Sequence, residues 1–434
     1  MKIKIDKLGI NGEGVGRITS GVDKDKVCFV DFLLPQEVAE IDIIKNTSSF
    51  CKGRVVEIVE TSKDRVNAPC PYFGECGGCD LQHLNCNSQT NFKKELIRET
   101  IEKIAKIECN PEDTVRLNDY HYRNKMVFPI SVKDGKVIIG MYKPNSHEII
   151  EINKCLIADD KINELLNNAQ EFFNNNKKDE YNYLRYLVVR VSGNELLVTI
   201  VASKKIDLAD YYANLQKMTY SSGLSLVIGD DRNNILSGKY VHINGMTKLN
   251  LCDFEIKYSV DNLGFLQVNN EIKTELYNEV VKNIKNDDVV IDAYSGAGLL
   301  TAIISKYCKH AVGIEIVDSS VKSAKDMAIK NGISNVEFYL DDVKNRLPNL
   351  LSRFENVTIV LDPPRQGCDR LVIEKILENS SKIPKIIYIS CGPSTLARDL
   401  CLLKEKYVIN KIIPMDMFPQ TKHVETLVVL ERKE

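Results

Sequence analysis

Cys391 follows the apolar run Ile386-Ile387-Tyr388-Ile389-Ser390 and precedes Gly392 and Pro393, which places it at a strand end, exposed on a turn. Most cysteines are buried packing residues. That fate suits Cys308 and Cys401, which lie inside apolar segments, but not Cys391, whose thiol is placed for nucleophilic chemistry. Asp362-Pro363-Pro364-Arg365 ends a second apolar run, TIVL (358–361). Its prolines fix the backbone and remove N–H donors, so the carboxylate points into the crevice at the strand ends. Glu425 opens the last strand in His423-Val424-Glu425-Thr426 and can reach the same crevice as a general base. Taken alone, a glutamate beside a strand is an ordinary surface charge.

The run Asp292-Ala-Tyr294-Ser-Gly296-Ala-Gly298 lies between an apolar strand and a helix. Glycines there let the backbone approach a ligand closely. The run lacks the full GxGxxG of pyrophosphate binders, which disfavours a dinucleotide. Glu315 ends the next strand about 20 residues on, where a carboxylate takes both ribose hydroxyls. Asp341 and Asp342 end a third strand, where adenine edges are often read. This is the layout of an S-adenosylmethionine site; the plainer reading of Glu315 is a solvated strand end.

A third constellation is Cys70-x5-Cys76-x2-Cys79, with Cys155 further on. Four thiolates can hold zinc or an iron–sulfur cluster, and spacing alone leaves both open. Gly74, Gly77 and Gly78 free backbone N–H groups to approach cluster sulfides, which favours iron–sulfur. Cys86 is close enough to be a rival fourth ligand, but it begins a helical segment and reads better as a spectator. Tyr122-Arg123-Asn124-Lys125 adds basic and aromatic residues suited to phosphate and base contacts, or to an ordinary strand start.

The elements that must hold these groups follow from periodicity. Val27, Phe29 and Val30, then Ala39, Ile41 and Ile43, then Val55, Val56, Ile58 and Val59 mark short strands with glycine turns, the pattern of a small barrel over about the first 60 residues. Residues 88–107 have helical spacing, with Phe92, Leu96, Ile97, Ile101, Ile104 and Ala105 on one face. From about 120 to 260 strands dominate, with a helix near 160–175 and a loop at 176–183. From about 272, strands alternate with helices, except that VEFYLDD is followed directly by NVTIVLDPP. Such alternation predicts a parallel doubly wound sheet.

The chain has 434 residues, 44% hydrophobic and 27% charged, which requires two or three domains and excludes wholesale disorder. Net charge is −2, from 58 basic and 60 acidic residues, so any nucleic-acid binding must rest on local patches. Thirteen cysteines, an odd number, in a long chain without a secretion signal or an apolar run of membrane length point to the cytoplasm. Single cysteines there serve packing or catalysis and clustered ones metal.

The segments DAYSGAG, VLDPPRQG, YISCGPSTLARDL and DMFPQTKHVETLVVL strongly resemble the S-adenosylmethionine-dependent RNA uracil-5-methyltransferases, as does FLQVN (265–269). The N-terminal part resembles the TRAM domain, so the resemblance covers nearly the whole chain. It implies an α/β protein in three parts: an OB-like TRAM barrel (1–61), a central α+β RNA-binding domain with an iron–sulfur site (62–260), and a Rossmann-like class I methyltransferase domain (261–434). The helix at 88–107 is expected to pack on the catalytic part. Carried over, Cys391 is the nucleophile and Glu425 the base. Gln267, Tyr294, Glu315 and Asp362 are cofactor-site residues, with Asp342 a weaker candidate. The ribosomal branch carries a [4Fe-4S] cluster on this cysteine pattern, which assigns Cys70, Cys76, Cys79 and Cys155 as its ligands. The transfer-RNA branch generally lacks cluster and barrel, so the resemblance implies 5-methyluridine formation in 23S ribosomal RNA, with no membrane and no obligate protein partner. The alternatives are the same reaction on transfer RNA, and a non-catalytic RNA-binding or ribosome-assembly protein.

Overall fold

The computed structural model describes residues 1–21 and 23–434. Strands Lys2–Leu8, Gly14–Ile18, Val27–Val30, Val38–Asn46 and Phe50–Glu60 close into a barrel, the first strand pairing with both the second and the fourth. Alternate residues, among them Ile3, Ile5, Ile18, Val30 and Ile41, fill it. Gly16 is required by close approach: a Cβ there would lie 1.9 Å from the Lys4 carbonyl oxygen.

The middle of the chain forms a seven-stranded sheet in the order Lys239–Gly245, Ser221–Ile228, Glu195–Ala202, Leu184–Ser192, Lys125–Lys133, Lys136–Tyr142, Ile149–Glu151. Helices Asp160–Asn175 and Ala209–Leu215 bury one face of it through Leu165, Phe172, Phe173 and Tyr211. The run read as a loop at 176–183 ends in a 3₁₀ turn, Asp179–Tyr183, which buries Tyr181 against Phe173.

The C-terminal sheet has the order Val336–Leu340, His310–Glu315, Val289–Ala293, Val357–Leu361, Lys385–Ser390, Glu425–Arg432, Tyr407–Met415. Its first five strands are parallel, and Glu425–Arg432 runs antiparallel between Lys385–Ser390 and Tyr407–Met415. One element departs from the sequence reading. A helix, Val343–Arg353, separates the two strands read as consecutive. Pro348 inside it masks the pattern, yet Val343, Leu347, Leu350 and Leu351 still form a buried stripe.

Helix Cys86–Thr100 and the π turn Ile101–Ala105 precede the central sheet in sequence but pack into the C-terminal core. Ile97, Ile101 and Ala105 are buried beside Ile291, Leu396 and Leu400. Ile104, expected on that face, is 39% exposed. The wider π turn rotates it out and brings Ala105 in.

Candidate active site

The glycine loop follows strand Val289–Ala293, and its backbone is held in left-handed conformations at Tyr294 (φ 75°), Gly296 (φ 54°) and Gly298 (φ 79°). A Cβ on Gly298 would collide with Ala324 and the Phe338 ring, at 2.6 and 2.7 Å. The Tyr294 and Ser295 N–H groups donate to the Ile314 carbonyl, tying the loop to the neighbouring strand. Glu315 ends that strand and accepts from Gly296 N–H at 3.0 Å and Val317 N–H at 2.8 Å.

A cleft opens over this loop. Gln267, Tyr294 and Asp362 line it together with Asp292 and Phe265, so three of the four expected cofactor residues share one wall. Glu315 reaches it through its bond to Gly296. Asp342 serves differently: it caps helix Val343–Arg353 by accepting from Lys344 N–H and pairs with the Lys344 ammonium. Burial pushes Asp292 up to about 6, against the Thr301 hydroxyl that donates to it. Burial, with Asp292 nearby, raises Asp362 as well.

Cys391 and Glu425 end neighbouring antiparallel strands. Ser390 pairs with Thr426, so the residues one step beyond, Cys391 and Glu425, face each other across the same register. Glu425 is buried and raised well above the ordinary carboxylate range, first by burial and then by Asp362, with Arg365 opposing. The half-buried Cys391 thiol is raised by burial, Glu425 and Asp362, and lowered by Arg365. Thiol, carboxylates and one guanidinium thus meet at the sheet edge beside the cleft.

Cys70, Cys76, Cys79 and Cys155 line a separate small pocket, walled by Met126, Met141 and Ile157. Gly78 N–H donates to the Cys76 sulfur at 3.3 Å. Burial pushes the thiols of Cys76 and Cys79 up to about 11 and about 12. Cys86 does not line the cavity; its sulfur lies 3.3 Å from Asp119. Among the described residues no group of three or more His, Cys, Asp or Glu side chains is set to hold a metal ion.

Several positioning residues escape the sequence reading. Lys93, fully buried on helix Cys86–Thr100, pairs with Asp416, which Arg116 also meets at 3.2 Å. Asp80 and Leu81 N–H groups both donate to the Gln420 carbonyl, and Lys422 N–H donates to Asp80. The segment leading to Glu425 is therefore gripped by the cysteine loop and by the early helix. The available signal was an isolated charge in an apolar setting: Lys93 on the face that includes Ile97, and Asp416 between Met415 and Met417.

The tRNA (Uracil-5-)-methyltransferase family matches residues 86–433, and the TRAM domain matches residues 1–56. An RNA methyltransferase of Clostridium tetani is 33% identical over 98% of this chain and 95% of its own length. One of Clostridium acetobutylicum is 33% identical over 99% and 96%. The solved Pyrococcus abyssi tRNA (uracil-54, C5)-methyltransferase, in complex with S-adenosyl-L-homocysteine, shares the fold at a TM-score of 0.75 and 21% identity, over 99% of this chain and 100% of that one. No helix among the described residues is long and apolar enough to cross a membrane. With a TRAM barrel at its start and the family's match over four-fifths of its length, the chain belongs to the tRNA (uracil-5-)-methyltransferase family of S-adenosylmethionine-dependent RNA methyltransferases.

Proposed function

We propose that this enzyme methylates C5 of a specific uridine in 23S ribosomal RNA through a covalent adduct between Cys391 and uracil C6. The carrying observation is the pairing of Ser390 with Thr426, which leaves Cys391 and Glu425 one residue beyond it at the same sheet edge, with Asp362 of the cleft acting on both. Bound S-adenosylmethionine supplies an electrophilic methyl sulfonium, and Gln267, Tyr294, Glu315 and Asp362 would hold it. The target uracil must leave any stack to enter. The Cys391 thiolate adds to C6, and the ring becomes an enolate with a nucleophilic C5. C5 would then take the methyl group as its bond to the sulfonium sulfur breaks, leaving the thioether S-adenosylhomocysteine. Glu425 removes the C5 proton, the electron pair reforms the C5–C6 double bond, and the C6–S bond breaks to return the thiolate.

We also propose that Cys70, Cys76, Cys79 and Cys155 would hold a [4Fe-4S] cluster. Four thiols share one enclosure, and a backbone N–H already points at sulfur. A structural role suffices, since methyl transfer needs no electron. The division into a barrel at 1–61, a central RNA-binding domain at 62–260 and a catalytic domain from 261, joined by the early helix, goes with this reading, as does a cytoplasmic location.

The second reading is the same chemistry on transfer RNA. The solved tRNA enzyme matches along its whole chain, so the fold does not separate the two substrates. The deciding experiment uses protein purified without oxygen and methyl-labelled S-adenosylmethionine, with unmodified large-subunit ribosomal RNA and transfer RNA offered separately. Labelled 5-methyluridine from ribosomal RNA alone is expected, with none from Cys391→Ala and a trapped protein–RNA adduct from Glu425→Gln. Label in transfer RNA alone moves the substrate. No label in either, with cofactor bound, leaves a binding protein.

A further inference from the structure

Tyr122-Arg123-Asn124 precedes strand Lys125–Lys133, and on sequence alone its basic and aromatic side chains suit RNA contact. The structure turns two of the three inward. Tyr122 and Asn124 are buried, and both bond to the C-terminal part of the chain. Asn124 Nδ2 donates to the Gln267 carbonyl at 2.9 Å and to Asn270 Oδ1 at 3.1 Å. Its backbone N–H donates to the Val268 carbonyl at 3.0 Å, and a single antiparallel bridge joins Arg123 to Asn269. The segment FLQVN is thus held at Gln267, Val268 and Asn269. Its other end, Phe265 to Gln267, lines the cofactor cleft. Asn124 Oδ1 has no hydrogen-bond partner. An unpaired buried acceptor is costly, and an apolar residue of the same size would avoid that cost. Packing therefore does not account for this amide, whereas its Nδ2 bonds do.

Tyr122 reaches the other half of the site. Its hydroxyl donates to the Pro419 carbonyl at 2.9 Å. The Arg123 guanidinium lies 5.8 Å from the centroid of the Phe418 ring. From there the chain makes a tight turn towards Glu425. The Thr421 N–H and hydroxyl donate to the Phe418 carbonyl at 3.2 and 2.8 Å, and His423 N–H donates to the Thr421 hydroxyl at 3.3 Å. The Phe418 and His423 rings meet edge-on at 6.0 Å. A shift at Pro419 is therefore carried to the start of strand Glu425–Arg432. The three residues are themselves fixed to the central part of the chain. Arg123 N–H donates to the Ile157 carbonyl, Asp159 N–H to the Arg123 carbonyl and Val191 N–H to the Asn124 carbonyl, at 2.9, 3.0 and 2.9 Å.

We infer that Tyr122 and Asn124 are positioning residues of the methyl-transfer site: Asn124 sets the wall of the cofactor cleft through Gln267, and Tyr122 sets the turn that delivers Glu425. The inference rests on the proposed roles of Gln267 and Glu425 and deepens them. One short segment spans the two groups that the reaction must hold at a fixed separation, the methyl donor and the base. Misplacement by about 1 Å at such a site can cost on the order of a hundredfold in rate.

The test uses the full-length protein purified without oxygen and two readouts. One is calorimetric affinity for S-adenosylmethionine. The other is the lifetime of the covalent protein–RNA adduct, in single-turnover quench with whichever of the two RNAs takes label. Asn124→Ala is expected to weaken cofactor binding about three- to tenfold, the worth of one hydrogen bond, and to leave the adduct lifetime as in wild type. Tyr122→Phe loses only the hydroxyl. It is expected to keep wild-type cofactor affinity and to lengthen the adduct lifetime about three- to tenfold, because Glu425 removes the C5 proton more slowly. A merely structural loss moves both readouts in both variants. Circular dichroism shows that the variants are folded, and Asn124→Ser replaces Asn124→Ala if the latter does not fold. Unchanged cofactor affinity in Asn124→Ala, an unchanged adduct lifetime in Tyr122→Phe, or both readouts moving together in each variant overturns the inference and leaves the proposed function standing. A wild-type protein that binds cofactor but labels neither RNA overturns the proposed function, and the role of Tyr122 with it.

Discussion

At the residue scale the decisive group besides the proposed nucleophile is Arg365. In the proposed mechanism Cys391 would react as thiolate, and burial, Glu425 and Asp362 all hold its proton on. Arg365 is the one cation acting against them, and it opposes the raised pKa of Glu425 as well. Its backbone is pinned from the helix that follows Cys391. The Thr395 hydroxyl donates to the Arg365 carbonyl at 3.3 Å, and Arg398 donates to the Gln366 and Cys368 carbonyls at 3.0 and 3.2 Å. Asp399 accepts from Cys368 N–H and from the Tyr388 hydroxyl. Arg365→Gln therefore raises the thiol pKa further. Each unit costs about tenfold in thiolate at neutral pH, so single-turnover methylation at pH 7 should fall about tenfold or more. Raising the pH should restore part of it, because the alkaline limb carries the missing thiolate. A pH–rate profile that keeps its shape in the variant would assign Arg365 to RNA contact instead. The strand-end placement of Cys391, Asp362 and Glu425 was legible because each sits in a contiguous motif. The Arg398–Asp399 brace was not, since it works from the next helix back onto a loop some 30 residues away.

At the element scale the early helix is the part that local sequence describes least well. Periodicity gives its existence and its apolar face. It cannot give the partner, because Lys93 meets Asp416 across 323 residues. Both side chains are fully buried. Burial pulls the Lys93 ammonium down and the Asp416 carboxylate holds it up. Removing one member of such a pair leaves a buried charge uncompensated, at about 3–5 kcal/mol. Asp416→Ala should lower unfolding stability by about that much, read by chemical denaturation, and should expose the 416–423 segment to hydrogen exchange. A change within about 0.5 kcal/mol would mean that water replaces the carboxylate and that the pair is not a clasp. The helix Val343–Arg353 teaches the converse: Pro348 hid from sequence an element whose leucine stripe was in plain view.

At the scale of the whole molecule, the barrel must be held to the rest for RNA gripped by one to reach the other. The joint is small and specific. Glu37, fully buried at the barrel's edge, takes both oxygens to Arg65 and accepts the Leu34 and Ser62 N–H groups at 2.8 and 3.2 Å. Phe32 of the barrel, Phe73 of the cysteine loop and His83 stack around it, with centroids 5.2 to 6.0 Å apart. Burial alone would raise Glu37, but Arg65 and the backbone donors outweigh it and hold its pKa below the usual 4.5. Burial, helped by Arg65, pushes His83 down to about 4, so it is neutral when folded. Both groups bind fewer protons folded than unfolded, so both stabilise at neutral pH and lose that stabilisation as pH falls. His83 loses its share between about 6.5 and 4, and Glu37 loses its own below 4.5. Glu37→Gln should cost about 2–4 kcal/mol at pH 7, because Arg65 is left without its counter-charge. It should also reduce the acid sensitivity below pH 4.5 while leaving most of the His83 share between about 6.5 and 4. His83→Phe should do the reverse. Melting temperatures of wild type and both variants from pH 7 to 3.5 read the two parts separately. If wild type melts at one temperature across that range, the joint is not under proton control and the barrel is held by its aromatic contacts alone.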